Sequence, residues 1–135
     1  MAVKLSVLAR NALLDGIEAA VGASAVLKLR TGAPPADCAA ADTGTVVATL
    51  NLPVDWWAAA SGGTKAKSGT WQDLLADAQG TVGHYRIYDT PATTAHIQGT
   101  VTITGGGGDM TLDNPVVEAN QVVTVTGYTF TAPNA

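Results

Sequence analysis

The apolar and polar positions of this 135-residue chain change period once, near Gly22. Before it, Ala9, Leu13, Ile17 and Val21 recur at spacings of four. Leu8, Leu14 and Ala20 widen that stripe, and Arg10, Asn11, Asp15 and Glu18 occupy the other side. Ser6 is placed to cap the N-terminus, Gly16 is the one weak helix former inside the run, and Gly22 supplies a left-handed stop. The pattern predicts an amphipathic helix over about 6–21, with an apolar stripe that must be covered by the protein's own β-structure or by a neighbouring subunit.

After Gly22 the period is two. Residues 25–30 alternate, with Ala25, Leu27 and Leu29 inward and Lys28 and Arg30 outward. Pro34 and Pro35 break the run, and a second strand is expected over 45–52. A short strand follows over 71–75, then a hairpin of 82–89 and 95–104 across Thr90-Pro91-Ala92. Gly105–Gly108 reads as a hairpin turn into 110–112, because neither Lys-Ser/Thr nor a helix follows the glycines as a phosphate loop requires. In the last strand, 121–131, Val123 and Val125 oppose Thr124, Thr126, Tyr128 and Phe130. The expected fold is mainly β, an antiparallel β-sandwich (about 25–131) preceded by one N-terminal amphipathic α-helix, as a single domain over 1–135.

Composition narrows the functional classes. Charged residues make up 13% of the chain, about half the usual share, and Ala, Thr and Gly dominate. Seven basic against eleven acidic side chains disfavour a nucleic-acid binder, which needs a basic footprint. The imbalance is local: residues 1–67 hold six bases and five acids, whereas 68–135 hold Arg86 alone against six acids. Cys38 has no partner for an internal disulfide. No eighteen-residue apolar stretch exists, and Arg10, Asp15 and Glu18 interrupt the N-terminal run where a signal peptide would be apolar. A protein made in the cytoplasm, without membrane contact, is expected.

Candidate chemistry is sparse. His84 and His96 fall on strands, with Arg86 and Tyr88 beside His84 on a face expected to be half exposed, and Cys38 shares no ligand spacing with them. Asp109, Asp113 and Asn114 lack an EF-hand pattern. The remaining carboxylates scatter one per loop, and Ser6, Ser24, Ser61 and Ser68 lie outside any nucleophile elbow. No catalytic, cofactor or metal site is therefore expected. The most informative local feature is Trp56-Trp57, in an irregular stretch over 55–69. One tryptophan is expected to plug the core and the other to face a partner, the plainer alternative being that both cap the core. Candidate interface residues are Trp56, Trp57, the flanking Lys65 and Lys67, and Leu13 and Ile17 on the helix.

Read in order, several segments resemble a family of small virion structural proteins of tailed bacteriophages. They are Leu5–Ala12 at the helix start, Leu27–Pro34, Gly44–Leu50, Gly80–Asp89, Gly99–Val101 and Asp109–Leu112. The resemblance implies a non-enzymatic virion component, most simply a head decoration (cement) protein that binds the major capsid protein or other virion proteins in many copies, with self-association open. A tail or head-fibre component is the alternative, and a carbohydrate-binding adhesin module a more distant one. The implied location is the virion, after synthesis in the cytoplasm of the bacterial host.

Overall fold

A computed structural model describes residues 2–135. The elements are α1 (Val7–Val21), β1 (Val26–Thr31), β2 (Val46–Asn51), β3 (Thr64–Ala66), β4 (Gln72–Asp73), β5 (Gly80–Tyr88), β6 (Ala95–Ile103), β7 (Met110–Leu112), β8 (Val116–Val117) and β9 (Val123–Thr131). The architecture is mainly β with one N-terminal helix. The strands join in one path, β2-β1-β5-β6-β7-β9-β3, with β4 added to β9 and β8 to β5. This sheet curls as a half-barrel around one core, where the sequence pattern had suggested two stacked layers.

The helix ends follow the capping rules. Ser6 is extended and its hydroxyl accepts from the Ala9 amide at 3.1 Å. At the other end Gly22 takes φ +89° and its amide donates to the Glu18 carbonyl. In the sheet, Leu27 and Leu29 on β1, Val47 and Leu50 on β2, and Tyr85 and Ile87 on β5 fill the concave side.

The convex side departs from the expected alternation. Arg30, His84, Arg86 and Tyr88 point away from the core as predicted, yet all four are buried, because the segment over 32–45 folds back across them. Gly83 permits that close pass: a Cβ there would stand 2.3 Å from the Gly32 carbonyl oxygen. Arg30 is thus not the solvent-facing residue its position suggests, and the face around His84 is closed, not half exposed.

Two local irregularities explain other differences. Opposite Thr111 and Leu112, β9 supplies Gly127 and Val125, so Thr126 is an extra residue in the ladder. The bulge resets the alternation and turns Tyr128 into the core with Val123 and Val125, although simple counting puts it on the opposite face. The glycine run is not a hairpin turn either. β6 and β7 pair in parallel, Val101 beside Met110 and Ile103 beside Leu112. Parallel neighbours normally need a dozen or more connecting residues. Gly105 and Gly107, at φ +84° each, let a much shorter loop coil back over Thr102.

Candidate functional site

Both members of the tryptophan pair lie inside. Trp56 and Trp57 are 0% and 1% exposed, and their rings stack at 4.7 Å. Trp71 and Tyr128 continue the cluster at 6.1 Å from Trp56 and 6.2 Å from Trp57 respectively, and Phe130 meets Trp57 edge-on. Adjacent residues of a regular strand would point opposite ways, but this segment is irregular. Trp56 Nε1–H donates to the Gly22 carbonyl at 2.9 Å, which ties it under the end of α1. The expectation that one tryptophan faces a partner is corrected: the pair closes one end of the core.

Lys65, expected as an exposed flanking cation, is buried on β3. Its ammonium bonds the Glu18 carboxylate, stands 3.1 Å from Asp15, and lies over the Trp57 ring at 5.7 Å. Burial opposes the charge, but hydrogen bonds to Glu18 and Asp15 prevail and hold the ammonium above its ordinary pKa. Lys67 is half-buried and donates to the Gly69 carbonyl. Neither lysine stands free beside an aromatic anchor.

A second polar cluster holds the convex side. Asp42 accepts from Arg30 at 2.9 Å, Arg86 at 2.5 Å and the Tyr88 hydroxyl at 2.6 Å. Arg86 also donates to the Asp37 and Ala40 carbonyls and to Gln98. Partial burial raises the Asp42 pKa, and these donors and charges more than reverse it, so the carboxyl sits below the usual range. Sequence reading missed this cluster. A signal was present: Lys28 and Arg86 are cross-strand neighbours with Arg30 two residues on, and three cations on one face need an acid between them.

The histidines do not converge. His84 pairs opposite Thr100 on β6, four residues from His96, and its Nδ1 lies 2.9 Å from the Gly32 carbonyl, so that nitrogen carries the proton. Asp109 accepts from the Thr100 amide and hydroxyl, and Asp113 from the Asn114 amide. A cleft of about 390 Å³ lies beside Tyr85, Tyr128 and Asp109. Burial pushes both phenols up, and the Tyr85 hydroxyl donates to that of Tyr128 at 2.9 Å, so they remain protonated hydrogen-bonding groups at neutral pH.

The unexpected feature is the way α1 sits. Its docked side carries the residues read as polar and solvent-facing. Arg10 donates twice to the Ala132 carbonyl, Asn11 accepts from the Gly63 amide, and Glu18 holds Lys65. Leu14 and Val21 are buried among them, and the Leu5 amide donates to the Asn134 carbonyl, fastening the chain's two ends together. Roughly 150° around the helix, at 3.6 residues per turn, lies the apolar stripe. It forms a shallow groove of about 640 Å³ floored by Ala9, Ala12, Gly16 and Ala20 and walled by Leu5, Leu13 and Ile17. Leu13 keeps 46% of its surface exposed and Leu8, beside the groove, 81%. Of the predicted stripe and its widened edge, Val21 and Leu14 are covered and Ile17 packs partly against the core, while Leu13, Ala20 and Leu8 stay exposed.

Of the candidate interface residues, Leu13 is therefore the one the fold leaves exposed, with Ile17 and Lys67 half-buried and Trp56, Trp57 and Lys65 buried. Compared with known proteins, the chain matches no family model, no curated protein and no solved structure.

Proposed function

We propose that this chain is a non-enzymatic structural protein of a tailed-bacteriophage virion, and specifically a decoration protein bound in many copies to the assembled head. The observation that carries the reading is the outward apolar face of α1 on a braced body. A helix normally turns that face to its own core. Here polar groups fasten the helix instead, and the apolar face is left for another surface. The residue segments that resemble small phage virion proteins supply the context in which such a surface is used.

Two further features support it. Asp42 clamps the convex side and Trp56, Trp57 and Trp71 close one end, giving a stiff body suited to repeated docking. A protein that binds the assembled lattice and not its separated subunits stabilises the lattice by RT ln(1 + [L]/Kd) per site. All three tryptophans and all three tyrosines are buried, which leaves no exposed tryptophan or tyrosine to stack on a sugar and disfavours the adhesin alternative.

Copy number tests the proposal. Quantitative mass spectrometry of purified virions against the major capsid protein is expected to give a ratio in fixed proportion to capsid subunits. A few copies per particle would move the role to the tail or a fibre. Absence from the particle would overturn the virion assignment.

A further inference from the structure

Unpaired strand edges invite further pairing, and this fold caps both ends of its strand path. On the outer edge of β2 the Val47 carbonyl accepts from the Asp77 and Ala78 amides, and the Thr49 amide donates to the Asp73 carboxylate. On that of β3 the Ala66 carbonyl accepts from the Ala58 amide, and Ser61 and Thr64 exchange two bonds. One opening is left inside the sheet. β7 has three residues and lies between two strands of nine, β6 and β9. Ahead of Met110 the ladders stop, and there the cleft of about 390 Å³ opens beside Gln98 and Thr129–Thr131.

We propose that this cleft is a slot one strand wide, which takes an extended, basic segment of a partner polypeptide paired with β6 on one side and β9 on the other. It shares no lining residue with the α1 groove, and its occupation does not depend on the virion reading.

The width is that of a strand. Where β7 is present it spaces β6 and β9 by two strand separations, roughly 10 Å. Counted on from Val101, Met110 and Tyr128, the register sets Gly99 across the slot from Phe130 and Gln98 across from Thr131.

Both walls present ladder groups without a ladder. On β6, the Thr100 and Thr104 amides turn away from β5, to the Asp109 carboxylate and the Leu112 carbonyl. By alternation the backbone N–H and C=O of Gln98 face the same way. On β9, the Tyr128 carbonyl accepts from the Lys67 amide and the Ala132 amide donates to the Gly63 carbonyl, both toward β3. Thr129 and Thr131 therefore direct their N–H and C=O into the slot. An extended polypeptide is the ligand that offers donors and acceptors to both walls at ladder spacing.

The lining sets the sequence such a strand can have. The buried Tyr85 and Tyr128 hydroxyls bond each other there, and Gly99 adds no side chain: a Cβ on it would stand 2.9 Å from the Tyr85 hydroxyl. An inward position of the guest strand thus suits a small or hydroxylated residue. At the β7 end, exposed Asp109 holds the Thr100 amide and hydroxyl through one carboxylate oxygen and leaves the other unbonded among the described residues. It is the one charged group on the lining, and a lysine or arginine of the guest would neutralise it.

The test is titration of the isotope-labelled full chain, followed by NMR, with the acetylated and amidated pentapeptide Lys-Thr-Ala-Thr-Lys, whose end lysines reach Asp109 in either direction. The Gln98, Thr129 and Thr131 amides are expected to shift and to slow their exchange with solvent, with a Kd of about 1 mM. N-methylation of the peptide's central amides should weaken binding at least tenfold, since it removes ladder donors and leaves the side chains. Asp109→Asn keeps an oxygen for Thr100 and removes the charge. It should weaken the lysine peptide roughly threefold to fivefold, the scale of an exposed ion pair, and leave a norleucine version unchanged. The peptide controls hold even if that variant fails to fold. No response of these amides at about 10 mM, equal binding of the N-methylated peptide, or equal binding of the lysine and norleucine peptides to wild type would each overturn the inference. None of these results bears on copy number in virions, by which the proposed function stands or falls.

Discussion

Leu13 and Leu14, neighbours on α1, lie on opposite sides of the molecular boundary: Leu14 is wholly buried, and Leu13 faces outward over Gly16. Truncation should separate them. Leu14→Ala is expected to cost about 2–5 kcal/mol, as buried leucine truncations do, and Leu13→Ala less than about 1 kcal/mol in the monomer. Urea denaturation at low protein concentration reads the difference. Equal losses would mean that α1 is rotated from the orientation described.

Asp42→Asn leaves Arg30 and Arg86 without their counter-charge. Breaking a fully buried ion pair costs roughly 3–5 kcal/mol. The Asp42 side chain is 39% exposed, so screening lowers the expectation to about 2 kcal/mol. The same carboxylate sets an acid limit. Its folded pKa is depressed, so its contribution is present above the ordinary aspartate value of 3.8 and is lost as pH falls through the folded value. Stability curves of wild type and Asp42→Asn should therefore converge in strong acid. A gap that persists there would assign the effect to packing.

Lys65 carries the opposite sign. Its folded pKa is raised, so its ion pairs with Glu18 and Asp15 contribute fully below the ordinary lysine value of 10.5 and fade as pH rises through the folded value. The melting temperature should fall above that pH more steeply in wild type than in Lys65→Met. Parallel curves would show that the ammonium is not held by these carboxylates.

Trp57→Ala should cost about 3–5 kcal/mol by opening the aromatic cluster. Any defect in assembly should then follow the loss of folded protein, and Trp57→Phe should restore most of it. Loss of partner binding by Trp57→Phe at unchanged stability would reinstate this tryptophan as a contact residue.

Much of the fold was legible because its signals are local. Ser6, Gly22 and the period change at the helix end mark α1, and the alternation of Leu27 with Leu29 and of Val123 with Val125 marks strands. The facing of α1 was not legible. Its apolar stripe is a real pattern, but the groups that fasten the opposite side are the Ala132 carbonyl, the Gly63 amide and Lys65, all distant in sequence. The fate of Trp56 and Trp57 was hidden likewise, since an irregular segment has no period from which to read direction. Tyr128 was misplaced by one bulge residue, Thr126, which no count of alternation detects.

Incorporation of a face variant into particles tests the central claim most directly. The double substitution Ala12→Glu and Leu13→Glu puts two charges on exposed positions of α1 and touches no buried residue. Purified particles lacking the chain would be mixed with wild-type or variant protein and sedimented, with the melting temperature of each protein measured in parallel. Wild type is predicted to pellet with the particles, and the variant to stay in the supernatant while melting within about 2 °C of wild type, the range of a surface change. A variant that folds equally well and pellets with the particles as fully as wild type would contradict the assignment of this face to assembly.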